Sequence, residues 1–465
     1  MRTAVIFLAL MGAVGAADRV TDWTHDVAPI LYRNCVECHR PGQVAPFSLL
    51  DYTQAAKRAR DLSRAVRAHY MPPWLPDGPT DAFLGERRLS QIDIDTIARW
   101  AEDGAAEGDG PAPVPPPAPA DGWMLGPPDL VVRMRQPFAI PAGPADTYEV
   151  FPVPLSLDGV PPDVLARARI PESDVLGVAA VEIRPGNARS FHHADVWFDL
   201  TGGARKREAA EGGNGFASFG TPGFPPAVHL GGRVPGQTPR FLPAGIAASV
   251  LPLKGDVVFQ IHYRATGKPE TDQSEVGIHF MREPVKRVMD SLLLRSFNLD
   301  IPAGDPAFVR EDELEVPADC ILMDVLPHMH LLAREVHAKV TFPDGTVRSI
   351  IDISRWDFKW QDRYAYREPF ELPKGAKISC RWVFDNSAAN RRNPFSPPRK
   401  VVFGPNATDE MCALDLGIIP MKLEEAPLFA ATRERKLRQK VAELTPEQRA
   451  RHDWDEVLET TPKGP

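Results

Sequence analysis

The strongest constraint on the fold is the proline-rich stretch PAPVPPPAPA at residues 111–120. Proline lacks a backbone N–H and has a fixed φ, so this stretch can neither continue a helix nor lie inside a sheet. It predicts an extended, semi-rigid linker over residues 110–125 that separates two regions of the chain. The length of 465 residues independently predicts more than one core.

The sequence pattern changes across this linker. Before it, apolar residues recur at helical spacing from Gln54 to Tyr70 and from Gln91 to Glu102, which predicts a small all-α domain over residues 18–109. After it, short runs rich in Val, Ile and aromatic residues predict an all-β region. The predicted strands are Val178–Ile183, Ala194–Leu200, Val257–Tyr263, Val336–Phe342 and Ile378–Phe384.

The β region is long enough for two sandwich domains, which we place at residues 126–285 and 286–428. A charged helical tail, packed on the surface, is predicted over residues 429–465. The formal net charge of −8 excludes the basic surface with which proteins bind nucleic acid.

Residues 1–17 have the pattern of a secretory signal peptide. Arg2 supplies the positive charge, an apolar stretch follows from Ala4 to Val14, and Gly15, Ala16 and Ala17 supply small residues for cleavage. The pattern predicts a periplasmic or secreted protein. The alternative is an N-terminal membrane anchor, if the stretch stays uncut.

The predicted helical domain contains Cys35-Val36-Glu37-Cys38-His39, the C-x-x-C-H signature of covalent c-type haem attachment. Two thioether bonds from Cys35 and Cys38 would hold the haem, and His39 would be the proximal iron ligand. Met71, on a proline-rich segment, is the predicted distal ligand, with His69 as the alternative. The region is similar to c-type cytochrome domains of exported bacterial redox enzymes.

Six residues of the β region form two sets of candidate metal ligands. The first set consists of three imidazoles, and the second combines two imidazoles with a thioether. Since a thioether binds copper(I) well and zinc poorly, the second set favours copper. The sets are His192, His193 and His262, and His328, His330 and Met411.

Strand geometry makes specific demands on these ligands. In His328-x-His330 both imidazoles project from the same face of a strand, which suits chelation. The adjacent His192 and His193 would face opposite ways in a regular strand, so we predict a bulge or a strand end there. Two alternatives remain: zinc at the histidine clusters, or a haem and copper protein that carries electrons without catalysis.

Cys320, Cys380 and Cys412 lie outside the haem motif. In an exported protein two of them are expected to form a disulfide, and the sequence leaves all three pairings open.

The ligand pattern over residues 126–425 resembles the copper type II, ascorbate-dependent monooxygenases, the family of peptidylglycine α-hydroxylating monooxygenase and dopamine β-monooxygenase. The resemblance implies two jelly-roll-like sandwiches facing an open cleft, with one copper ion on each. It implies that His192, His193 and His262 bind a relay copper, and that His328, His330 and Met411 bind the copper that reacts with O₂. It also implies a Cys380–Cys412 disulfide, with Cys320 left free.

The sequence departs from this family where substrate would bind. The family has a Met after the His-His pair, and a His and a Phe before His-x-His, where this chain has Ala194, Ile321 and Met323. Residues that hold a peptide carboxylate in the peptide-hydroxylating member are replaced by Leu326, Ala413 and Asp415. The expectation is therefore a monooxygenase for another small organic substrate. Its electrons would come through the haem from a periplasmic redox protein or an ascorbate-like reductant.

Overall fold

The computed structural model describes residues 19–41, 43, 45–111, 113–117, 122–143, 146–218, 222–234, 237–404 and 406–460. The predicted signal peptide and part of the proline-rich linker lie outside these residues. The chain divides into two compact units. The first unit is the described chain up to Pro72 together with Arg87–Pro117, and the second is Pro73–Glu86 together with the described chain after residue 118.

The first unit contains helices and, in its described residues, no strand. Trp23, Leu31 and Trp100 are almost completely buried and form the centre of its core. Asp51 and Ser90 cap two of the helices by accepting hydrogen bonds from the backbone N–H of Gln54 and Asp93. The helices are a π-helix at Trp23–Val27, α1 (Ala28–Asn34), α2 (Tyr52–Ala56), α3 (Ala59–Arg67) and α4 (Gln91–Glu102).

The first half of the second unit is built on a four-stranded and a five-stranded sheet, in the orders β1-β12-β4-β9 and β6-β3-β10-β5-β7. Their apolar faces share one core. The strands are β1 (Leu130–Arg133), β2 (Phe138–Ile140), β3 (Thr147–Pro154), β4 (Val175–Arg184), β5 (Phe191–Asp199), β6 (Phe216–Ala217), β7 (Val228–Arg233), β8 (Ile246–Ala247), β9 (Ser249–Pro252), β10 (Asp256–Tyr263), β11 (Glu270–Asp272) and β12 (Glu275–Phe280). Two short helices, α5 (Pro162–Ala168) and α6 (Gly203–Ala210), connect strands.

The second half has two four-stranded sheets, in the orders β14-β23-β17-β20 and β16-β21-β18-β19, again around one core. The strands are β13 (Arg287–Val288), β14 (Asp290–Arg295), β15 (Asp300–Ile301), β16 (Phe308–Glu315), β17 (Cys320–Met329), β18 (Ala333–Thr341), β19 (Val347–Ile353), β20 (Tyr364–Leu372), β21 (Lys377–Phe384), β22 (Val401–Val402) and β23 (Cys412–Pro420). The prediction of a β-rich, sandwich-like body is confirmed, and all five predicted strands are present.

The C-terminal segment is helical and packs on the second half. It comprises a 3₁₀ turn at Leu423–Glu425, α7 (Ala426–Ala442), α8 (Pro446–Arg449) and α9 (Trp454–Thr460). Leu437, Val441 and Trp454 pack around Phe297 in a small separate core. None of the helices in the described part of the chain combines the length and the apolar character needed to cross a bilayer.

The domain prediction differs from the structure at Pro73–Glu86. We placed this segment in the helical domain, but it belongs to the second unit. The reason is aromatic packing. The rings of Trp74 and Phe83 lie 5.3 and 5.7 Å from the ring of Tyr364, and Phe83 forms an isolated β-bridge with Tyr366.

The cysteine prediction also differs from the structure. All five cysteines lie among the described residues and are free thiols, so the Cys380–Cys412 disulfide is not formed. Instead, the Cys412 thiol donates to the carbonyl of Ser296 at 3.7 Å. Burial, followed by the neighbouring Cys412 thiol, raises the pKa of Cys380 well above its usual value.

Candidate metal centre

A β-bulge allows the side chains of His192 and His193 to reach the same site. In the pairing of β10 with β5, His262 lies opposite His193 and Tyr263 lies opposite Phe191, so the register skips His192. An inserted residue breaks the alternation of side chains along a strand, and both imidazoles can then reach the same space. The predicted bulge is confirmed.

The three imidazoles of this first cluster converge through their Nδ1 atoms. The Nδ1 atom of His192 lies 3.1 Å from that of His193 and 3.1 Å from that of His262, and the third separation is 3.2 Å. Ligands in a tetrahedral site about 2.0 Å from an ion lie about 3.3 Å from one another. The cluster therefore has the spacing of a three-nitrogen metal site.

A carboxylate and an aromatic ring hold His262 in this position. Its Nε2 lies 3.0 Å from Oδ2 of Asp146, so that Nε2–H can donate to the carboxylate and leave the Nδ1 lone pair for an ion. The ring of Tyr148 stacks on the imidazole at 4.0 Å with a 14° angle between planes. Burial alone would raise the pKa of Asp146, but hydrogen bonds from His262 and the Ala265 amide lower it overall.

The surroundings also favour the neutral form of His192 and His193. Burial, together with the charge of His262, lowers the pKa of His192 to about 3. Burial, followed by the neighbouring His262 and His192, lowers the pKa of His193 well below its usual value. At neutral pH His192 and His193 therefore keep an unprotonated lone pair, which is the form that binds a metal ion.

The second cluster presents the opposite ring nitrogens. Nδ1 of His328 lies 2.6 Å from Oε1 of Gln361, and Nδ1 of His330 lies 3.2 Å from the carbonyl oxygen of Asp409. Each Nδ1–H can donate to its oxygen, which leaves each Nε2 as the free ligand atom. The two rings are 5.2 Å apart and perpendicular. Burial and His328 lower the pKa of His330 to about 3.

A shared acceptor brings the backbone of Met411 near that of His330. Met329 of β17 lies opposite Cys412 of β23, and His328 lies opposite Ala413. His330 and Met411 are the next residues beyond this pairing, and their backbone N–H groups both donate to Oε2 of Glu410, at 3.0 and 3.1 Å. The role of the thioether as a metal ligand stays a prediction.

One aromatic side chain lies between the two clusters. The ring of Phe358 stacks on His192 with centroids 5.9 Å apart and meets the ring of His330 edge-on at 5.5 Å. The segment that carries Phe358 also supplies Gln361, whose Nε2 donates to the Phe358 carbonyl at 3.1 Å. The resemblance implied an open cleft, whereas here a phenyl ring bridges it.

In the first unit, the haem motif lies just after α1. Nδ1 of His39 is 3.3 Å from the carbonyl oxygen of Phe47, which leaves Nε2 as the free ligand atom. Burial, then the Cys38 thiol, raises the pKa of Cys35 to about 12. Met71 follows α3, with its amide donating to the Ala65 carbonyl at 3.4 Å. Binding of haem and ligation by Met71 or His69 stay predictions.

Comparisons with known proteins do not identify the chain. No model of a known protein family matches it, and no curated protein matches it. Among solved structures, the VP2 subviral particle of infectious bursal disease virus has 8% identity over 67% of this chain and 74% of its own, with a TM-score of 0.17. The Gx strain of the same virus has 9% identity over 63% and 72%, with a TM-score of 0.19. Structural similarity this weak supports no conclusion about this chain.

Sequence reasoning missed the residues that support the ligands. Asp146 is separated from His262 by 116 positions, and Gln361 is separated from His328 by 33. Nothing local marks either as a partner of an imidazole. Only for Glu410, next to Met411, was there a signal: an acidic side chain two residues before a strand of apolar alternation.

Replacing Asp146 by asparagine is expected to weaken metal binding at the first cluster by about 10- to 100-fold, because an amide orients the His262 tautomer less strongly than a carboxylate does. Competition with a chromogenic chelator measures this affinity. The matched control is Asp352→Asn, which alters a comparable carboxylate–imidazole pair, with Asp352 2.9 Å from His337 and outside both clusters. Equal affinities in the two variants would contradict the prediction.

Proposed function

We propose that this chain is an exported dicopper monooxygenase that hydroxylates a C–H bond of a small organic substrate with O₂, with electrons delivered through a c-type haem on the same chain. The observation that carries the proposal is the convergence of three Nδ1 atoms from His192, His193 and His262 at 3.1–3.2 Å. A lone buried histidine is commonly a polar residue with a satisfied hydrogen bond. Three that aim lone pairs at one point are suited to an ion.

Support for a second ion comes from His328 and His330, whose Nδ1 atoms are engaged and whose Nε2 atoms are free. The geometry of the first cluster suits zinc as well as copper. The choice of copper rests on Met411, whose backbone N–H shares an acceptor oxygen with that of His330, because thioether sulfur is a copper(I) ligand.

Bound copper would supply one-electron redox steps at two separate positions, and the haem would supply the electrons. The chain itself holds the ligands in orientation. Asp146 keeps Nδ1 of His262 toward the first position, and Gln361 keeps Nε2 of His328 toward the second. The ring of Phe358 packs against both His192 and His330, one residue of each ligand set.

The sheet face beside the second cluster bears on the substrate class. Leu326 lies opposite Asp415, two residues from the pair of His328 and Ala413. The Asp415 carboxylate lies 2.9 Å from Nη1 of Arg363, which also contacts Asp324 at 2.7 Å. The arginine is thus engaged by two carboxylates. We infer a substrate that is not held through a carboxylate of its own, which disfavours peptide amidation.

The haem part of the proposal rests on Cys35, Cys38 and His39. Their spacing is that of covalent haem attachment, and the hydrogen bond from His39 to the Phe47 carbonyl orients the imidazole as a proximal ligand requires.

Metal analysis with paramagnetic resonance of the oxidised protein tests the proposal. We expect two copper ions per chain with type II signals, and O₂ uptake with a reductant and a suitable substrate. Zinc without a copper signal would overturn it. Copper without O₂ uptake, for any reductant and candidate substrate, would favour the alternative of a haem and copper electron carrier.

A further inference from the structure

A buried carboxylate joins the two chain segments that carry the second ligand set. Glu410 is completely buried. Its Oε2 accepts hydrogen bonds from the backbone N–H of His330 at 3.0 Å and of Met411 at 3.1 Å. Its Oε1 accepts from the N–H of Leu332 at 2.6 Å. One side chain thus contacts the backbone of two candidate ligands on different segments.

The position of these amides explains why a carboxylate is needed. Strand β17 ends at Met329, and β23 begins at Cys412, so His330 and Met411 lie just beyond the paired residues. Buried N–H groups without an acceptor destabilise a fold. A buried carboxylate is itself costly unless several hydrogen bonds satisfy both of its oxygens. Glu410 accepts from three backbone N–H groups at this point, and it extends the link between the segments past the end of the ladder.

We infer that Glu410 is a positioning residue for the second metal site, whose carboxylate fixes the backbones of His330 and Met411 at the separation that a shared ion requires. The inference rests on the proposed function, because it assigns these two residues to one ion. A carboxylate that only accepted hydrogen bonds at the strand ends, with no role in metal binding, would have a different consequence when it is removed. Loss of the carboxylate should weaken metal binding at the second site and leave metal binding at the first cluster unchanged.

The test is the substitution Glu410→Gln. Glutamine has nearly the same size but replaces one acceptor oxygen with an NH₂ donor. Whichever way the amide is turned, either Leu332 or the pair of His330 and Met411 loses its acceptor. We expect the copper(I) affinity of the second site, which contains His330 and Met411, to fall about 10- to 100-fold. The paramagnetic signal of the first cluster should stay as in the unaltered protein.

Glu182 provides a matched control. It is a buried carboxylate in the other half of the unit, with 4% exposure, and its oxygens accept from the backbone N–H of Met124 at 2.7 Å and of Leu125 at 3.0 Å. Neither residue is a candidate ligand. Glu182→Gln should therefore lose a comparable set of hydrogen bonds while both copper affinities are retained. Equal copper affinities in the two variants would overturn the inference.

A measurement without metal separates this inference from the proposed function. Hydrogen exchange of the metal-free protein should be faster in Glu410→Gln than in the unaltered protein at residues 328–333 and 410–412, and unchanged there in Glu182→Gln. Unchanged exchange at both segments in Glu410→Gln would overturn the positioning role of Glu410, even if the protein binds copper. Faster exchange in a protein that binds no copper would instead contradict the proposed function.

Should Glu410→Gln fail to fold, Glu410→Asp, which keeps both oxygens but shortens the reach, is expected to show the same pattern to a smaller extent.

Discussion

Replacing His262 by alanine is expected to reduce the copper content from two ions per chain to one. His262 supplies one of three converging Nδ1 atoms, and it is also the partner of Asp146 and Tyr148. Its removal leaves two nitrogens, with nothing in the cluster to replace the third. The loss of affinity should exceed the roughly 10- to 100-fold that changes in supporting residues cause. Metal analysis after dialysis measures the ratio directly.

The matched control for this substitution is His229→Ala. His229 lies on β7 of the same sheet and pairs with Asp195 at 3.0 Å, but it lies outside the cluster. It should keep two copper ions. In His262→Ala the paramagnetic signal of the remaining ion should belong to the second set, and O₂-dependent turnover should be lost because only one electron-storing position remains. Two copper ions bound as tightly as before would contradict the assignment of the first cluster.

Replacing both Cys35 and Cys38 by alanine is expected to abolish covalent haem attachment. The two thiols lie in the first unit, where the C-x-x-C-H spacing puts both next to His39. A c-type haem is held by thioether bonds to these sulfurs, so their removal leaves at most iron ligation by His39. Haem staining after denaturing electrophoresis and the mass of the intact protein should both change from fully attached to unattached.

Cys320→Ala is the control for this experiment, because Cys320 is a buried cysteine of the second unit that no haem motif includes. It should retain covalent haem at the level of the unaltered protein. The double variant should still bind two copper ions, since the histidine clusters lie in the second unit. Covalent haem that persists without Cys35 and Cys38, or an unaltered protein that attaches none, would remove the cytochrome from the proposed function.

Local pattern was sufficient for much of the architecture. Alternating apolar runs marked strands that the structure contains, including β10 with His262. The demand for a bulge at His192 also followed from the sequence, because adjacent strand residues face opposite sides unless the register breaks. These features depend on the geometry of a few consecutive residues, which side-chain chemistry and spacing describe well.

Domain limits and the disulfide depended on contacts between distant segments. Trp74 and Phe83 follow the helical region in sequence, but their rings pack near Tyr364, so the segment belongs to the second unit. Cys412 was paired with Cys380 by resemblance, whereas its thiol donates to the Ser296 carbonyl. Neither arrangement has a signal in the residues next to it.

The residue types of this chain were enough to name six candidate ligands and a haem attachment motif, because copper requires particular ligand side chains and haem attachment requires particular side chains at a short spacing. Only the fold could show that Asp146, Gln361, Phe358 and Glu410 surround those ligands. An imidazole can be oriented by any acceptor that reaches it, so the partner's identity leaves no mark near the histidine. Which acceptor arrives is decided by the pairing of strands that lie far apart in the chain, such as β3 with β10 and β17 with β20 and β23.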